Sequence, residues 1–370
     1  MGDPHGVGIV GLGAISAQYL AQLTAHPLVR IAAVADLDGA RAAMIAAATG
    51  AKALEVDALT ADPDVDTVLN LTIPAAHADI ALRAIAAGKD VYGEKPLAAT
   101  FDDAGRVVAA AADAGVAVGC APDTVLGTGT QTARDAIDRG EIGAPTFATA
   151  TMIVPGHERW HPNPDFYYTE GGGPLLDMGP YYVTSLAHLL GPVVAVTGSS
   201  SRSRETRIIG SGPREGETVP VTIDTHVTGI LEHAGGALST VLMSFDGSET
   251  TTPPIEVHGT EGAISVPDPN TFDGDVTLHR LDRSARSTLA ASAGYEDAAR
   301  GVGLIDMVLA DASRAARANG DLALHVLEVM TALIRSAEIG RRQEVSTSVK
   351  RPALVPLTAR ADWLGTRPMS

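Results

Sequence analysis

The chain has 370 residues, of which 45% are hydrophobic, and it carries 27 basic against 44 acidic residues for a net charge of −17. This length favours two domains, and the composition gives no sign of disorder. The negative charge argues against nucleic acid and against an anionic membrane surface as partners, because both would repel the chain.

Cysteine content and apolar runs narrow the class of protein further. Cys120 is the only cysteine in the sequence, so an internal disulfide and a thiolate zinc site are excluded, and we expect no metal. The N-terminus lacks the basic and apolar regions of a signal peptide, and no apolar run is long enough to span a bilayer. We therefore expect a cytoplasmic protein.

The chain opens with the pattern of a dinucleotide-binding unit. A short apolar strand, Gly6 to Val10, runs into a glycine turn and then into an alanine-rich helix that we expect to reach His26. The turn lets the backbone approach a pyrophosphate held at the helix N-terminus. The candidate cofactor contacts in it are Gly11, Gly13, Ala14, Ile15 and Ser16, the last replacing the third glycine of the usual fingerprint.

An acidic residue follows the second predicted strand, Arg30 to Ala35. Asp36 lies about twenty residues past the last glycine, where a carboxylate typically accepts hydrogen bonds from ribose hydroxyls. The next residue, Leu37, cannot hold a 2′-phosphate, so NAD is favoured over NADP. The alternative is that Asp36 caps the helix starting near Gly39, although Asp38 could do so instead.

Strands and helices continue to alternate up to Cys120. Further strands are predicted at Asp66 to Leu71, Lys89 to Tyr92 and Val116 to Gly119, and helices at Ala75 to Ala87 and from the Thr100 cap to Ala114. Alternation of this kind predicts a parallel sheet whose ligands sit beyond the carboxyl ends of the strands. Four candidate residues fall at such ends: Gly11, Asp36, Ile73 and Lys95.

Lys95 lies in the segment Val91-Tyr92-Gly93-Glu94-Lys95-Pro96-Leu97. The chain has only four lysines among its 27 basic residues, and one of them is retained here beside an acid and a proline. An ammonium can be tuned in pKa and donates as a compact point charge, which a guanidinium cannot match. A solvated lysine in a strand-end loop is the alternative.

Aromatic residues cluster in the second half. An irregular segment, Pro155 to Gly172, leads into a helix that starts at Pro174 and runs to about Leu190. Six of the chain's 14 aromatic residues lie within 23 positions here: Trp160, Phe166, Tyr167, Tyr168, Tyr181 and Tyr182. Such rings either bind a sugar-like ligand or anchor the segment to the body of the protein, and both interpretations remain open.

The segment also contains the pattern H-E-x-x-H, from His157 to His161. Metalloprotease chemistry needs both histidines on one face of a regular helix. The prolines on both sides make such a helix improbable, so we do not expect a metalloprotease. In the next helix, Asp177 and Tyr181 are four residues apart and share a face. Pro180, inside that helix, should kink or loosen it.

The remainder is predicted as mostly β from Val193 to Arg280 and helical at its end. Arg202 to Gly216, rich in glycine, serine and charge, is expected to form an exposed connection. Helices are predicted at about Arg300 to Arg317 and at Asp321 to Ile339, with Gly340 as the stop.

Taken together, the glycine turn, Asp36, the Glu94-Lys95-Pro96 segment and the Gly171 to Tyr181 segment resemble the glucose-fructose oxidoreductase/inositol dehydrogenase (Gfo/Idh/MocA) family. The resemblance implies an α/β protein in which residues 1–121 form a Rossmann domain with a doubly wound parallel sheet. Residues 122–370 would form a substrate-binding and oligomerisation α/β domain with a large, mostly antiparallel open sheet. The peptide before Pro96 is often cis in such proteins.

The resemblance also implies roles for particular residues. Lys95 would hydrogen-bond the reacting oxygen, and Glu94 would approach the nicotinamide end of the cofactor. Many members carry a histidine four residues after the helix aspartate, but Tyr181 stands there in this chain. The implied cofactor contacts also include Thr72, Ile73, Pro74 and His77, and the implied substrate contacts are Lys95, Asp123, Trp160, His161, Tyr167, Asp177 and Tyr181.

The sequence therefore predicts an NAD-dependent oxidoreductase that acts on a sugar, a sugar derivative or a cyclic polyol. Lys95 and Tyr181 would act at the reacting oxygen, with Asp177 beside them. We expect a homodimer or homotetramer formed through the C-terminal sheet. Two alternatives remain: a glycosidase that uses NAD for transient oxidation of the sugar, and a non-catalytic sensor that keeps the cofactor fold.

Overall fold

The computed structural model describes residues 3–282, 285–310 and 316–364, which form two compact units. Of these residues, unit 1 contains 3–128, 293–310, 316–324 and 352–364, and unit 2 contains 129–282, 285–292 and 325–351. Among the described residues, none of the helices combines the length and apolar character that a membrane crossing requires.

Unit 1 contains a six-stranded parallel sheet. Its strands are β1 (His5–Val10), β2 (Val29–Ala35), β3 (Lys52–Ala53), β4 (Thr67–Asn70), β5 (Asp90–Gly93) and β6 (Val118–Cys120), in the spatial order β3-β2-β1-β4-β5-β6. This order confirms the predicted doubly wound sheet. Only β3 escaped prediction, because two exposed residues carry no apolar pattern.

Helices follow the first five strands. They are α1 (Ser16–Leu23), α2 (Gly39–Thr49), α3 (Val56–Ala61), α4 (Pro74–Ala86) and α5 (Phe101–Ala114). Asp38 caps α2 by accepting hydrogen bonds from two backbone N–H groups, and Thr100 caps α5 as predicted. Helix α1 ends three residues before His26, because Pro27 disfavours helical backbone at the residue before it.

Unit 2 contains a nine-stranded, mostly antiparallel sheet, as the resemblance implied. Strands β7 (Pro145–Ile153), β8 (Val193–Ser201), β11 (His226–His233), β12 (Leu238–Ser244), β13 (Ile255–Gly259), β14 (Gly262–Val266), β15 (Thr277–Arg280), β16 (Ser287–Thr288) and β17 (Gln343–Glu344) take the order β16-β15-β14-β13-β7-β12-β11-β8-β17. Strands β9 (Thr206–Ile208) and β10 (Thr218–Pro220) pair separately. Only β7 and β12 run parallel within the nine.

The helices after Cys120 are α6 (Thr128–Asp138), α7 (Pro174–Leu190), α8 (Val302–Val308), α9 (Gly320–Ile339) and α10 (Arg360–Trp363). Helix α7 continues through Pro180 as a single element rather than breaking there. Gly179 lets α7 approach α9 closely, since a Cβ at this position would lie 2.8 Å from the sulfur of Met330.

Two expectations about connections need correction. The segment Arg202 to Gly216 is not simply an exposed connection, since it contains β9 and the buried Arg207. The helix predicted at Arg300 to Arg317 is shorter, because α8 covers only Val302–Val308. Residues 311–315 of that prediction lie outside the described residues.

Unit 1 includes two segments from the C-terminal half of the chain. Asn319 forms an isolated β-bridge with Gly119, and the backbone N–H groups of Gly301 and Gly303 donate to the carboxylate of Asp123. A division of the chain into two domains at residue 121 does not account for these two later segments. They depend on contacts between residues nearly 200 positions apart, and such contacts leave no mark in local sequence patterns.

Candidate functional site

A cleft of about 480 Å³ lies in unit 1 at the carboxyl ends of the first strands. Eight of the candidate cofactor contacts line it: Gly11, Gly13, Ala14, Ile15, Asp36, Leu37, Thr72 and Ile73. Sequence reasoning did not select several other lining residues, which include Glu55, Val56, Ala76 and Ile80. The cleft thus brings together residues from four separate stretches of the chain.

The glycine turn keeps the floor of this cleft clear of side chains. Gly11 has a φ of +91°, and a Cβ there would lie 2.8 Å from the backbone of Leu71. At Gly13 a Cβ would project into open space, which its absence leaves accessible to a ligand. Helix α1 begins three residues later, so the turn and the helix N-terminus fit the pyrophosphate of a dinucleotide.

Asp36 connects the glycine turn to the end of β2. One oxygen accepts a hydrogen bond from the Leu12 N–H at 2.6 Å and the other from the Asp38 N–H at 2.8 Å. Each carboxylate oxygen has a second lone pair, so both can still accept from ribose hydroxyls. Arg41 lies 3.9 Å from Asp36 and 3.2 Å from Asp38. Hydrogen bonds from Arg41 hold the pKa of the Asp38 carboxyl below its usual range.

Two large apolar side chains stand exposed in the lining of the cleft. Leu37 is fully exposed and Ile73 is 69% exposed. Exposed aliphatic groups facing a concave surface are typical of a site that receives a flat apolar ligand. Their placement fits an adenine ring.

Three of the candidates brace the cleft instead of lining it. Ser16 is buried and donates to the Gly13 carbonyl at 2.7 Å, which fixes the turn. Pro74 is the first residue of α4. The ring nitrogens of buried His77 lie 2.6 Å from the Pro96 carbonyl and 3.0 Å from the Thr72 carbonyl. His77 therefore links the turn after β4 to the turn after β5.

Glu94 and Lys95 follow β5 and are both half-buried. Glu94 accepts a hydrogen bond from the Tyr19 hydroxyl at 2.8 Å and another from the Lys95 N–H at 3.1 Å, so its carboxylate is fixed against α1. Burial, reinforced by the charge of Glu94, raises the pKa of Tyr19 well above its usual value. The Lys95–Pro96 peptide is cis, as expected.

Asp123 requires a correction. Its side chain is fully buried, and one carboxylate oxygen accepts from the N–H groups of Gly301 and Gly303 at 2.8 and 3.1 Å. The guanidinium of Arg300 lies 3.6 Å from the other oxygen. Burial raises the pKa of this carboxyl, with Arg300 opposing the shift. Asp123 thus holds the returning segment within unit 1, and this placement does not support a substrate contact.

In unit 2 the structure supplies an imidazole that sequence reasoning had not assigned to Asp177. His157 Nε2 lies 3.0 Å from Asp177 Oδ2, and the Trp160 indole N–H donates to His157 Nδ1 at 3.2 Å. The one sequence signal was the H-E-x-x-H pattern, in which this histidine was weighed only as a metal ligand. The described segment forms a three-residue 3-10 turn, His157–Arg159, instead of an α-helix.

The glutamate of that pattern has a structural role. Glu158 is buried, binds the Tyr168 hydroxyl, and pairs with the guanidinium of Arg207 at 3.0 Å. Arg207 also pairs with Asp246 at 2.5 Å and lies over the Tyr168 ring. Within the described residues, no group of three or more His, Cys, Asp or Glu side chains is arranged to hold a metal ion.

The aromatic cluster contains both buried and exposed rings. Tyr168 is completely buried and anchors the segment, whereas Trp160 is 59% exposed and Phe166 is 55% exposed. His161 contacts the rings of Trp160, Phe166 and Tyr167 with centroid distances of 5.4 to 5.5 Å. Tyr181 and Tyr182 are buried on α7, and burial raises the pKa of Tyr182 above its usual value.

Comparison with known proteins agrees with this architecture. Residues 5–121 match the family described as "Oxidoreductase family, NAD-binding Rossmann fold", and residues 130–265 match "GFO/IDH/MocA C-terminal domain". The two matches fall on the parallel sheet and on the antiparallel sheet, respectively.

Individual relatives extend along most of the chain. The 1,5-anhydro-D-fructose reductase of Ensifer adhaerens is 32% identical over 257 residues, covering 67% of this chain and 72% of the relative. The inositol 2-dehydrogenase of Rhizobium meliloti is 27% identical over 259 residues, covering 70% and 74%. An NAD binding oxidoreductase from Klebsiella pneumoniae has a solved structure that superposes with a TM-score of 0.78 at 25% identity, over 92% of this chain and 99% of that one.

Proposed function

The chain belongs to the Gfo/Idh/MocA family of NAD-binding oxidoreductases, and from that premise we propose that it transfers hydride to or from a carbon of a sugar, sugar derivative or cyclic polyol. The observation that carries the proposal is the cleft of unit 1, where an open glycine turn, a carboxylate and two exposed aliphatic side chains converge. The bound NAD would supply a nicotinamide ring that accepts or donates the hydride.

The cleft residues divide the work of holding the dinucleotide. Gly11, Gly13 and the start of α1 would bind the pyrophosphate, and Asp36 would accept from the adenosine ribose. Leu37 and Ile73 would cover the adenine. Glu94 and His77 would act by keeping the turns after β4 and β5 in place, since both are occupied by contacts with neighbouring turns or helices.

The substrate class is supported by the relatives and by the chemistry of unit 2. The relatives named above are a reductase of an anhydro-ketosugar and a dehydrogenase of a cyclic polyol. Trp160 and Phe166 offer exposed ring faces beside the polar groups of His161 and Tyr167. Such a surface suits a ligand with hydroxyl groups and C–H faces.

We assign the proton transfer to Lys95 and Tyr181. Oxidation of an alcohol needs a base for the hydroxyl proton, and a free phenol, with a pKa of about 10, ionises too little near neutrality. A nearby ammonium favours the phenolate of a tyrosine, and Lys95 would hydrogen-bond the reacting oxygen while Tyr181 takes its proton. Asp177 shares a face of α7 with Tyr181, and its contact with His157 gives its carboxylate a partner other than the phenol.

A substrate screen tests the proposal as a whole. Sugars and polyols are offered with NAD and with NADP while nicotinamide absorbance is followed, and mass spectrometry identifies any cofactor that co-purifies. We expect net reduction of NAD by at least one polyol. Sugar cleavage without net reduction of NAD would instead identify the glycosidase, and bound cofactor without any turnover would identify the sensor.

We also propose that the sheet of unit 2 joins two copies of the chain. Phe147 and Leu238 pair in register on β7 and β12, and Ile230 lies on the same face of β11, the strand next to β12; all three are exposed. An exposed apolar face on a broad sheet is typical of a protein interface. Light scattering should give the mass of a dimer or tetramer, and a monomer at micromolar concentration would contradict the proposal.

A further inference from the structure

A directional pair of hydrogen bonds runs through the aromatic segment of unit 2. The Trp160 indole N–H lies 3.2 Å from His157 Nδ1, and His157 Nε2 lies 3.0 Å from Asp177 Oδ2. An indole N–H can only donate, so Nδ1 is the acceptor. Nε2 therefore carries the imidazole proton and donates it to the carboxylate.

The imidazole is held rigidly, so its acceptor points in a fixed direction. His157 is 12% exposed, and its ring centroid lies 4.5 Å from that of Tyr167 and 4.6 Å from that of Phe245. Its backbone N–H donates to the Tyr168 hydroxyl at 3.1 Å. The next residue, Glu158, is fixed by its buried pairing with Arg207.

The donor to this acceptor is, by contrast, a largely exposed side chain. Trp160 is 59% exposed, and its ring meets His157 and His161 only edge-on, at 5.2 and 5.4 Å. Leaving so large an apolar side chain in water costs free energy that a ligand covering it would recover. A fixed acceptor is thus satisfied by a donor that can move away.

We propose that His157 Nδ1 is the acceptor for a second hydroxyl of the substrate, one that does not react, and that the Trp160 indole N–H occupies this acceptor until the substrate displaces it. The proposal rests on the proposed function only for the class of substrate. It narrows that class to compounds with at least two hydroxyl groups, and it makes His157 a specificity-determining residue.

The chemistry of the acceptor selects a hydroxyl. A carboxylate has no proton to donate to Nδ1, and it would approach the charge of Asp177, which lies on the other side of the same ring. A hydroxyl can donate to Nδ1 and accept from the displaced indole at the same time. The exposed faces of Trp160 and Phe166 would then contact the C–H groups of the same molecule.

The displaceable indole also determines how much affinity is lost by an analogue that lacks this second hydroxyl. A site built for a hydroxyl normally rejects an analogue without it strongly, because the buried acceptor is left unpaired. Here the indole can return to the acceptor, so the loss for such an analogue should be only about tenfold. The indole competes with the substrate, and removing its N–H should therefore strengthen binding.

Direct binding measurements without cofactor test this separately from turnover. The probes are myo-inositol, D-glucose and D-sorbitol, each titrated by calorimetry to saturation or to its solubility limit. Tryptophan fluorescence follows the same titrations. The chain has two tryptophans, and Trp363 is buried with its indole bonded to the Glu296 carbonyl, so we expect the change to come from Trp160.

Three variants distinguish an indole that the substrate displaces as a hydrogen-bond donor from an indole that only lines the binding site. Trp160→Phe should lower the Kd of the bound probe by roughly threefold or more, because it removes the competing donor. His157→Phe should raise the Kd by about tenfold, because it removes the acceptor while keeping a ring between Tyr167 and Phe245. Trp363→Phe is the matched control, since it removes the other indole, which is buried in unit 1 and bonded to the Glu296 carbonyl, and the Kd of this variant should not change.

Each remaining outcome overturns the proposal. If Trp160→Phe weakens binding as much as His157→Phe does, the indole is a wall. If none of the three probes binds, or if none changes the tryptophan fluorescence, the proposed displacement of the indole is wrong. Should His157→Phe fail to fold by circular dichroism, the result for Trp160→Phe still decides. Failure of the proposed function appears separately, as binding of a polyol without reduction of NAD.

Discussion

The cleft of unit 1 and the aromatic segment of unit 2 are built in different ways. Most of the residues that line the cleft follow β1, β2 or β4 closely in sequence, so each part is set by a few neighbouring residues. The segment from Pro155 to Tyr168 is held by side chains that reach across the chain. Glu158 and Arg207 are 49 positions apart, and Arg207 and Asp246 are 39 apart.

This difference predicts different responses to mutation. Backbone-defined sites tolerate changes elsewhere, because local conformation maintains them. A site defined by a buried charge network fails when any one of its members is lost. The predictions below test the contrast, beginning with the largest expected effect.

Tyr181→Phe should lower kcat by roughly 10² to 10⁴ and abolish the basic-side pH dependence, because it removes the general base while keeping the ring. Steady-state kinetics across pH measure both effects. Tyr182→Phe, the next residue on the same helix, is the matched control. A Tyr181→Phe enzyme that kept its kcat and raised only KM would show that the phenol is a wall of the site, and His161 would become the candidate base.

Arg207→Met should destabilise the protein by about 3 to 5 kcal/mol, because the buried carboxylate of Glu158 would be left without its cation. Urea unfolding followed by circular dichroism measures the change. Arg342→Met, which removes an exposed pair with Glu232, should change stability little. NAD affinity in native buffer should survive both substitutions. Equal stability of the two variants would contradict the contrast between the units.

Lys95→Met should reduce turnover by roughly a hundredfold or more while leaving NAD affinity within a few-fold, because the ammonium acts on the reacting oxygen. Lys95→Arg should not restore activity, since the guanidinium fork has a different shape. Lys89→Met, which changes the residue just before β5, is a control for the loss of a positive charge. Normal turnover by Lys95→Met would remove the central catalytic assignment.

Asp36→Ser should weaken the preference for NAD over NADP. A 2′-phosphate would meet the carboxylates of Asp36 and Asp38, and like-charge juxtaposition can cost several kcal/mol, on the order of a hundredfold or more in affinity. Arg41 would remain to pair with the phosphate. The ratio of kcat/KM for the two cofactors measures the change. A native enzyme that used NADP as well as NAD would contradict the role assigned to Asp36.

Mild acid should destabilise unit 2 slightly through its buried histidines. Burial lowers the pKa of His233 and of His325 below the usual value near 6.5. Above that pH neither state binds the proton, and below it the unfolded chain binds protons first, so stability is lost as the pH falls from about 6.5 towards the lowered pKa of the folded state. The melting temperature should drop by a few degrees, and His233→Gln should reduce that drop. A melting temperature that is flat from neutral to mildly acidic pH would contradict this.

Much of unit 1 was accessible from sequence. The strand boundaries, the Thr100 cap and the glycine turn all depend on neighbouring residues, through apolar periodicity, capping chemistry and the φ that Gly11 adopts. The alternation of strands and helices then fixed the carboxyl ends as the site. The same local signals correctly gave the start of α7 in unit 2.

The predictions that failed involve long-range contacts. Asp123 was taken for a substrate contact by its position in the resemblance, but its burial depends on residues 300–303. The segment around Arg207 was predicted as exposed from its composition, although two distant carboxylates bury its guanidinium. Burial of a charge depends on its partner, and the partner lies far away in sequence.

The sequence by itself determined the cofactor half of this protein, because a dinucleotide is bound mainly by backbone groups whose conformation is set within a few residues. Only the tertiary structure brought His157 to Asp177. Their contact joins an irregular segment to a helix across 20 positions, with no periodic pattern between them. The sequence pattern indicated His157 only as part of a metal-binding motif, whereas the folded chain places its imidazole beside the carboxylate of Asp177.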